Sequence, residues 1–215
     1  MKIVVFGGTF NPVHKLHLQI AQGVLDSGKA DRILFIPAPN PPHKDLTGIL
    51  PYEIRRNMLA AALAGNPAFV ISDIERKREG KSYTFDTLEE LCRLYPDDDI
   101  FLLIGSDSLR QLHTWYRARE LVQRYPVLTW PREKEPVLRD ELKEHWSDHE
   151  TESLMNGFLR QMPASPVSST EIRQAIMQND REKLQEWLHP DVLTLIDSMG
   201  LYQKNTNQGD LYERK

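Results

Sequence analysis

The chain has 215 residues, with 27 basic and 31 acidic side chains and a formal charge of −4. That length suits one α/β domain, and the negative balance argues against a general grip on nucleic acid or an anionic membrane. A mean hydropathy of −0.50, no apolar run near the ~20 residues that cross a bilayer, and a single cysteine, Cys92, exclude membrane-spanning and disulfide-stapled classes and point to a reducing cytoplasm.

The elements alternate along the chain. Ile3–Phe6 reads as a strand buried on both faces and ends at Gly7-Gly8. The opening MKIVVFGGTF is too short and lacks the cleavage site of a signal peptide. Leu16–Leu25 has helical apolar spacing, with Gly28 as a stop. Ile33–Ile36 is a second buried strand, followed by Pro37-Ala38-Pro39-Asn40-Pro41-Pro42, which forbids regular structure. A helix is expected over Tyr52–Ala64, a strand over Phe69–Ile71, a charged loop over Asp73–Lys81 and a helix over Thr84–Leu94. Ile100–Ile104 is the strongest buried strand. A loop then leads to a short helix at Arg117–Arg124 and a strand at Val127–Trp130. Residues 132–152 carry eight acidic and four basic side chains and read as a solvated excursion or surface helix. Three helices follow, Thr170–Gln178, Arg181–Leu188 and Asp191–Met199.

This rhythm predicts a Rossmann-like α/β fold: a parallel sheet flanked by helices, with a small helical subregion over about 165–204. Residues 1–204 read as one domain and 205–215 as a polar tail.

Ligands of open α/β sheets bind beyond the carboxyl ends of the strands. Gly7, Gly8, Thr9 and Phe10 lie there, and the glycines allow backbone N–H groups to approach an anion. His14 and His17 share one side of the following helical turn. As a metal pair they would need a third ligand, which the neighbouring sequence does not offer, so contact with phosphate oxygens is the better reading. Ser168 and Glu171 have capping-box spacing at the start of another helix. Arg173, Ser169 and Thr170 add donors there that suit a polyphosphate.

G-G-T-F-N-P-V-H-x-x-H resembles the nucleotidyltransferase superfamily signature G-x-F-x-P-x-H-x-G-H, and Ser168–Arg173 resembles its I-S-S-T-x-I-R helix start. Three further segments resemble the nicotinate-nucleotide adenylyltransferase branch: Pro39–Lys44, Gly80–Leu88 and Ile104–Tyr116. The closing Leu201-Tyr202 also fits, and the motifs arrive in family order. The resemblance implies that ATP phosphates bind at Gly7, Gly8, Thr9, Phe10, His17, Ser168, Ser169, Thr170 and Arg173, with Gly105 and Asp107 at the ribose. It further implies that Asn40, His43, Lys44, Tyr83, Thr84, Trp115 and Tyr116 hold nicotinate mononucleotide, with Arg132 reaching a phosphate. His14, His17, Lys44 and Arg173 would carry catalysis, and Mg²⁺ would ride on ATP phosphates without a protein ligand. The implied reaction gives deamido-NAD and pyrophosphate.

Leu16 stands where the signature has glycine, and Asn11 where many members have aspartate. A leucine there is expected to crowd the nucleotide. Two other readings share part of the pattern: an adenylyltransferase with another acceptor, such as phosphopantetheine, which would not explain P-P-H-K or S-Y-T, and a nucleotide-binding or regulatory relative with weak catalysis. The sequence leaves a homo-oligomer open.

Overall fold

The computed structural model describes residues 1–39, 48–78, 80, 82–132, 137–160 and 167–203. Five strands form one parallel sheet in the order β3-β2-β1-β4-β5. They are β1 (Lys2–Gly8), β2 (Arg32–Pro37), β3 (Phe69–Ile71), β4 (Asp99–Gly105) and β5 (Val127–Trp130). The β-α crossovers run outward from β1 to β3, then return to the other side of β1 for β4 and β5. That reversal opens a crevice above the carboxyl ends of β1 and β4, the place where such sheets bind ligands.

Strand side chains alternate between two cores, which is why the strands read as unbroken apolar runs. Val4, Phe6, Ile33, Phe35 and Leu103 face one core. It is closed by α1 (Lys15–Asp26), α2 (Tyr52–Leu63) and the helices α8 (Ser169–Gln178), α9 (Arg181–Trp187) and α10 (Pro190–Met199). Ile3, Val5, Leu34, Ile36, Leu102 and Ile104 face the other. That core is closed by α3 (Thr84–Leu94), α4 (Ser106–Gln111), α5 (Ala118–Arg124), α6 (Arg139–Lys143) and α7 (Asp148–Asn156).

Three expectations are corrected. The segment after β4 is not a loop: α4 begins at once and runs into a 3₁₀ turn at Leu112–Thr114. The charged stretch 73–81 contains a 3₁₀ turn at Glu75–Lys77. Residues 137–152 do hold helix, α6 and the start of α7, but are more than a solvated surface, because Val137, Leu142 and Trp146 are buried in the second core. The charges there are abundant, yet these few large apolar side chains supply enough buried surface to dock α6 and α7. Beyond α7 the chain pairs with β5: the Thr129 N–H donates to the Gly157 carbonyl (2.9 Å) and the Leu159 N–H to the Thr129 carbonyl (2.9 Å). A Cβ on Gly157 would lie 1.8 Å from the Val127 carbonyl oxygen, so only glycine permits this approach. The expected tail, 205–215, lies outside the described residues.

Candidate active site

His14 is the N-cap of α1 and His17 sits three residues on. The His14 backbone N–H donates to His17 Nδ1 (3.2 Å), so a neutral His17 carries its proton on Nε2. The two rings lie 3.7 Å apart between centroids. Phe6 and Phe10 flank His17 at 5.8 and 5.1 Å. Burial, with the Arg132 charge in support, lowers His14 to about 3. Burial, then His14 and Arg132, holds His17 well below the usual imidazole range. Both rings are therefore neutral near pH 7 and act as hydrogen-bond donors rather than fixed cations.

The linkage has a definite sign. An unfolded histidine binds a proton as pH falls through about 6.5, whereas these folded ones refuse it. Stability is full above pH 6.5 and falls as the pH drops from there toward the folded value of His14, about 3. His14 accounts for up to about 1.4 kcal/mol per pH unit inside that window, and His17 acts in the same direction. Melting curves from pH 7.5 to 4.5 should show the loss, and His14→Gln should flatten it. Equal slopes for the two proteins would refute this assignment.

Helix α8 closes on the histidine loop. Ser168 forms the expected capping box: its Oγ accepts from the Glu171 N–H (3.3 Å), and its own N–H donates to Glu171 Oε2 (2.8 Å). Ser169 Oγ donates to the Pro12 carbonyl (3.0 Å). Arg173 Nη1 donates to the Asn11 carbonyl (2.8 Å), and Nη2 to Thr170 Oγ1 (3.2 Å). Residues about 160 positions apart in sequence thus share one end of the sheet, as the two phosphate motifs required.

Gly105 caps α4, and a Cβ there would fall 2.4 Å from Asp107 Oδ1. Asp107 Oδ2 accepts from Arg132 Nη1 (2.8 Å), and the Arg132 N–H donates to Ser106 Oγ (3.0 Å). Arg132, expected at the acceptor's phosphate, therefore lies beside the proposed ribose ligand, and its charge reaches the histidines. Ser106 and Pro131, the chain neighbours of this pair, line a cavity of about 430 Å³ floored by Val137, Met155 and Phe158.

A second cavity of about 360 Å³ fills the crevice above β1 and β4. Gly7, Gly8 and Thr9 form one wall, and Tyr83, Thr84, Trp115 and Tyr116 another. The Tyr83 and Tyr116 rings meet at 4.6 Å between centroids, and both are exposed. Thr84 does not cap α3 with its side chain; Tyr83 holds the N-cap position and Thr84 is the first helical residue, whose N–H has no partner within the helix. Asn40, His43 and Lys44 lie outside the described residues.

Sequence and structure comparisons meet this geometry. The profile of the cytidylyltransferase-like family matches residues 5–175. A protein of Caldicellulosiruptor bescii named "Probable nicotinate-nucleotide adenylyltransferase" is 36% identical over 204 residues, covering 95% of this chain and 100% of its own. The protein of that name from Caldicellulosiruptor saccharolyticus is 37% identical over 205 residues, with the same coverage. The chain belongs to the nicotinate-nucleotide adenylyltransferase family. Its fold is shared with the solved Plasmodium falciparum nicotinic acid mononucleotide adenylyltransferase complexed with NaAD. The TM-score is 0.75 at 18% identity, covering 94% of this chain and 97% of that one.

Within the adenylyltransferase family pattern, the two departures have local reasons. Leu16 does not stand in the crevice: it is 5% exposed and packs in the first core with Ile20 and Ile172. Leu16→Gly is expected to cost about 3 kcal/mol through the cavity and the helical glycine, without tightening ATP. A melting curve and an ATP titration check both halves; a gain in ATP affinity would revive the crowding expectation. Asn11 is 3% exposed. Its Nδ2 donates to the Gly48 carbonyl (2.9 Å), and its Oδ1 accepts from the Leu50 N–H (3.2 Å) and the Tyr202 hydroxyl (2.8 Å). An aspartate could accept both bonds but could not donate to Gly48.

Two polar residues at the site lie outside the motifs quoted above. Arg55 is 1% exposed. Its guanidinium donates to the carbonyls of Leu50 (2.9 Å), Thr9 (2.6 Å) and Ala38 (2.8 Å), with Pro39 at 3.4 Å. It thereby ties the glycine loop to the end of β2. Glu75 lines the crevice cavity. Read from spacing, Arg55 is one more polar residue on an amphipathic helix, and Glu75 one more charge in a charged loop.

Proposed function

We propose that this adenylyltransferase transfers AMP from ATP to nicotinate mononucleotide, giving deamido-NAD and pyrophosphate. One observation carries the reading. Gly7–Thr9 walls the crevice cavity and leads through Asn11 and Pro12, whose carbonyls accept from Arg173 and Ser169, into the His14–His17 turn. A pyridine nucleotide in the cavity and a triphosphate at the histidines would then meet at the glycine loop.

The acceptor phosphate oxygen attacks the α-phosphorus in line, and pyrophosphate leaves. The nucleophile is already an anion, so no general base or covalent intermediate is needed. Alignment of two charged molecules is the main task, worth up to ~7–11 kcal/mol in favourable systems. His17 donates from Nε2 to a phosphate oxygen, His14 assists beside it, and Arg173, Ser168, Ser169 and Thr170 hold the β- and γ-phosphates. Asp107 takes the ribose hydroxyls, and the purine extends toward the cavity beside Ser106 and Pro131. Asn40, His43 and Lys44 are assigned to the acceptor.

Mg²⁺ belongs with the triphosphate. Among the described residues no three His, Cys, Asp or Glu side chains form a metal-binding group. The imidazoles and the guanidinium nearest the phosphates do not suit a hard divalent ion, and the neutral hydroxyls there would make only a weak site by themselves. An ion held by phosphate oxygens and water, supplying charge neutralisation there, fits this donor set. Residues 1–204 act as one transferase unit, in the cytoplasm that a single cysteine suits.

Pyrophosphate release measured across nicotinate mononucleotide, nicotinamide mononucleotide and phosphopantetheine tests the reading. The Thr84 and Tyr116 N–H groups would bind a ring carboxylate and match a carboxamide poorly. Nicotinate mononucleotide should win by at least about a hundredfold in kcat/KM. Comparable efficiency with both pyridine nucleotides would remove the carboxylate assignment, and turnover with phosphopantetheine alone would remove the acceptor.

A further inference from the structure

The cavity assigned above to the acceptor holds an acidic side chain that the reaction as described does not use. Glu75 sits on the 3₁₀ turn after β3 and lines the cavity with Tyr83, Trp115 and Tyr116. Thr87, one turn into α3, donates its hydroxyl to Glu75 Oε1 (2.9 Å). Arg78, the nearby cation, does not pair with Glu75: Nη1 donates to Thr87 Oγ1 (3.1 Å) and Nη2 to Glu90 Oε2 (2.6 Å). Among the described residues Glu75 makes no ion pair. The turn is anchored just upstream, where Asp73 accepts from the Tyr52 hydroxyl (2.7 Å) and from Arg56 Nε (2.9 Å).

A fixed carboxylate with no cation in direct contact, its nearest one (Arg78) held off by the Thr87 hydroxyl, gains when a cation arrives in the largely apolar cavity beside it. Burial raises the Glu75 carboxyl above its ordinary range, while the Thr87 hydroxyl and the Arg78 charge pull it back. The aromatic faces beside it attract cations as well, tryptophan most strongly. A nicotinate nucleotide brings such a charge, because its ring nitrogen is quaternary. We propose that Glu75 is a specificity-determining residue, the counter-charge by which the cavity selects a cationic pyridinium ring over a neutral ring of the same shape. This rests on the acceptor assigned above and adds the charge of its ring as a recognised feature. The ring carboxylate is kept apart from Glu75 by the N–H groups at the start of α3, one turn from Thr87.

The test uses two probes with identical carboxylate and phosphate groups: nicotinate mononucleotide and its carbon-linked 3-carboxyphenyl riboside 5′-phosphate, whose ring is neutral. Their shared anions cancel in the ratio of affinities, which isolates ring charge. Calorimetric titration of the wild-type protein should favour the cationic ring by about tenfold or more. Glu75→Gln, which keeps the shape and the bond from Thr87, should reduce the ratio below about threefold. Glu75→Ala should do the same, and melting curves identify a variant that fails to fold. A ratio unchanged in both variants overturns the proposal. So does an equal gain for both probes, which would show Glu75 opposing the ring carboxylate instead. Wild-type protein that binds neither probe refutes the acceptor assignment itself, and the proposal falls with it.

Discussion

His17→Ala is expected to lower kcat by about 10²–10³-fold, the scale of losing one well-placed donor to a developing oxyanion. The KM for nicotinate mononucleotide should stay within about threefold. The split follows from where the ring sits. His17 is packed by Phe6 and Phe10 at the start of α1, and its Nδ1 is occupied by the His14 N–H. One orientation is thereby fixed, with Nε2 the sole remaining donor. The ring does not line the acceptor cavity. Steady-state kinetics with each substrate varied in turn decide the matter; unchanged kcat with a raised KM would move His17 from transition-state stabilisation to ground-state binding. His17→Gln, which offers a side-chain donor of similar reach, should recover part of the loss.

Arg55→Met is expected to destabilise the fold by about 5 kcal/mol, because carbonyls of three separate segments lose their donors inside the protein. For a chain of this length that lowers Tm by roughly 10–20 °C. The buried site gives little screening by water, so the loss should persist at high salt, unlike that of a surface ion pair. Arg55→Lys should recover only a fraction, since an ammonium cannot span the same fork of acceptors. Thermal melts at low and high salt measure both. A shift under about 3 °C for Arg55→Met would show that water takes over the carbonyls.

The fold was largely legible in the sequence. A doubly covered strand must be apolar throughout, so β1, β2, β4 and β5 announced themselves, and glycine and proline marked their ends. Helix α3 and strands β3 and β5 fall where periodicity put them. What misled was composition without geometry. The acidic stretch before α7 looked solvated, because its charges outnumber the three side chains that anchor it. Helix α4 was hidden by Gly105-Ser106-Asp107-Ser108, which reads as turn chemistry yet opens a helix whose first donors are turned to the ligand edge.

At the site, the two motifs that resemble the family's signatures were legible, and the structure joins the segments that carry them through Ser169 and Arg173. The burial of Leu16 in the first core was not legible, since a residue's place in a motif does not say which face of the helix it takes. Arg132, read from the sequence as reaching the acceptor's phosphate, pairs with Asp107, a neighbour that only the three-dimensional fold supplies. Arg55 was invisible for the same reason: its acceptors are main-chain oxygens, which every residue owns and no pattern reveals.

The hydroxyl of Tyr202 reaches Asn11 across 191 positions of sequence. A nascent chain therefore completes its sheet long before this last tie can form. A polypeptide truncated just ahead of Tyr202 would keep its core strands yet lack the joint that ties the first loop to the segment after α10.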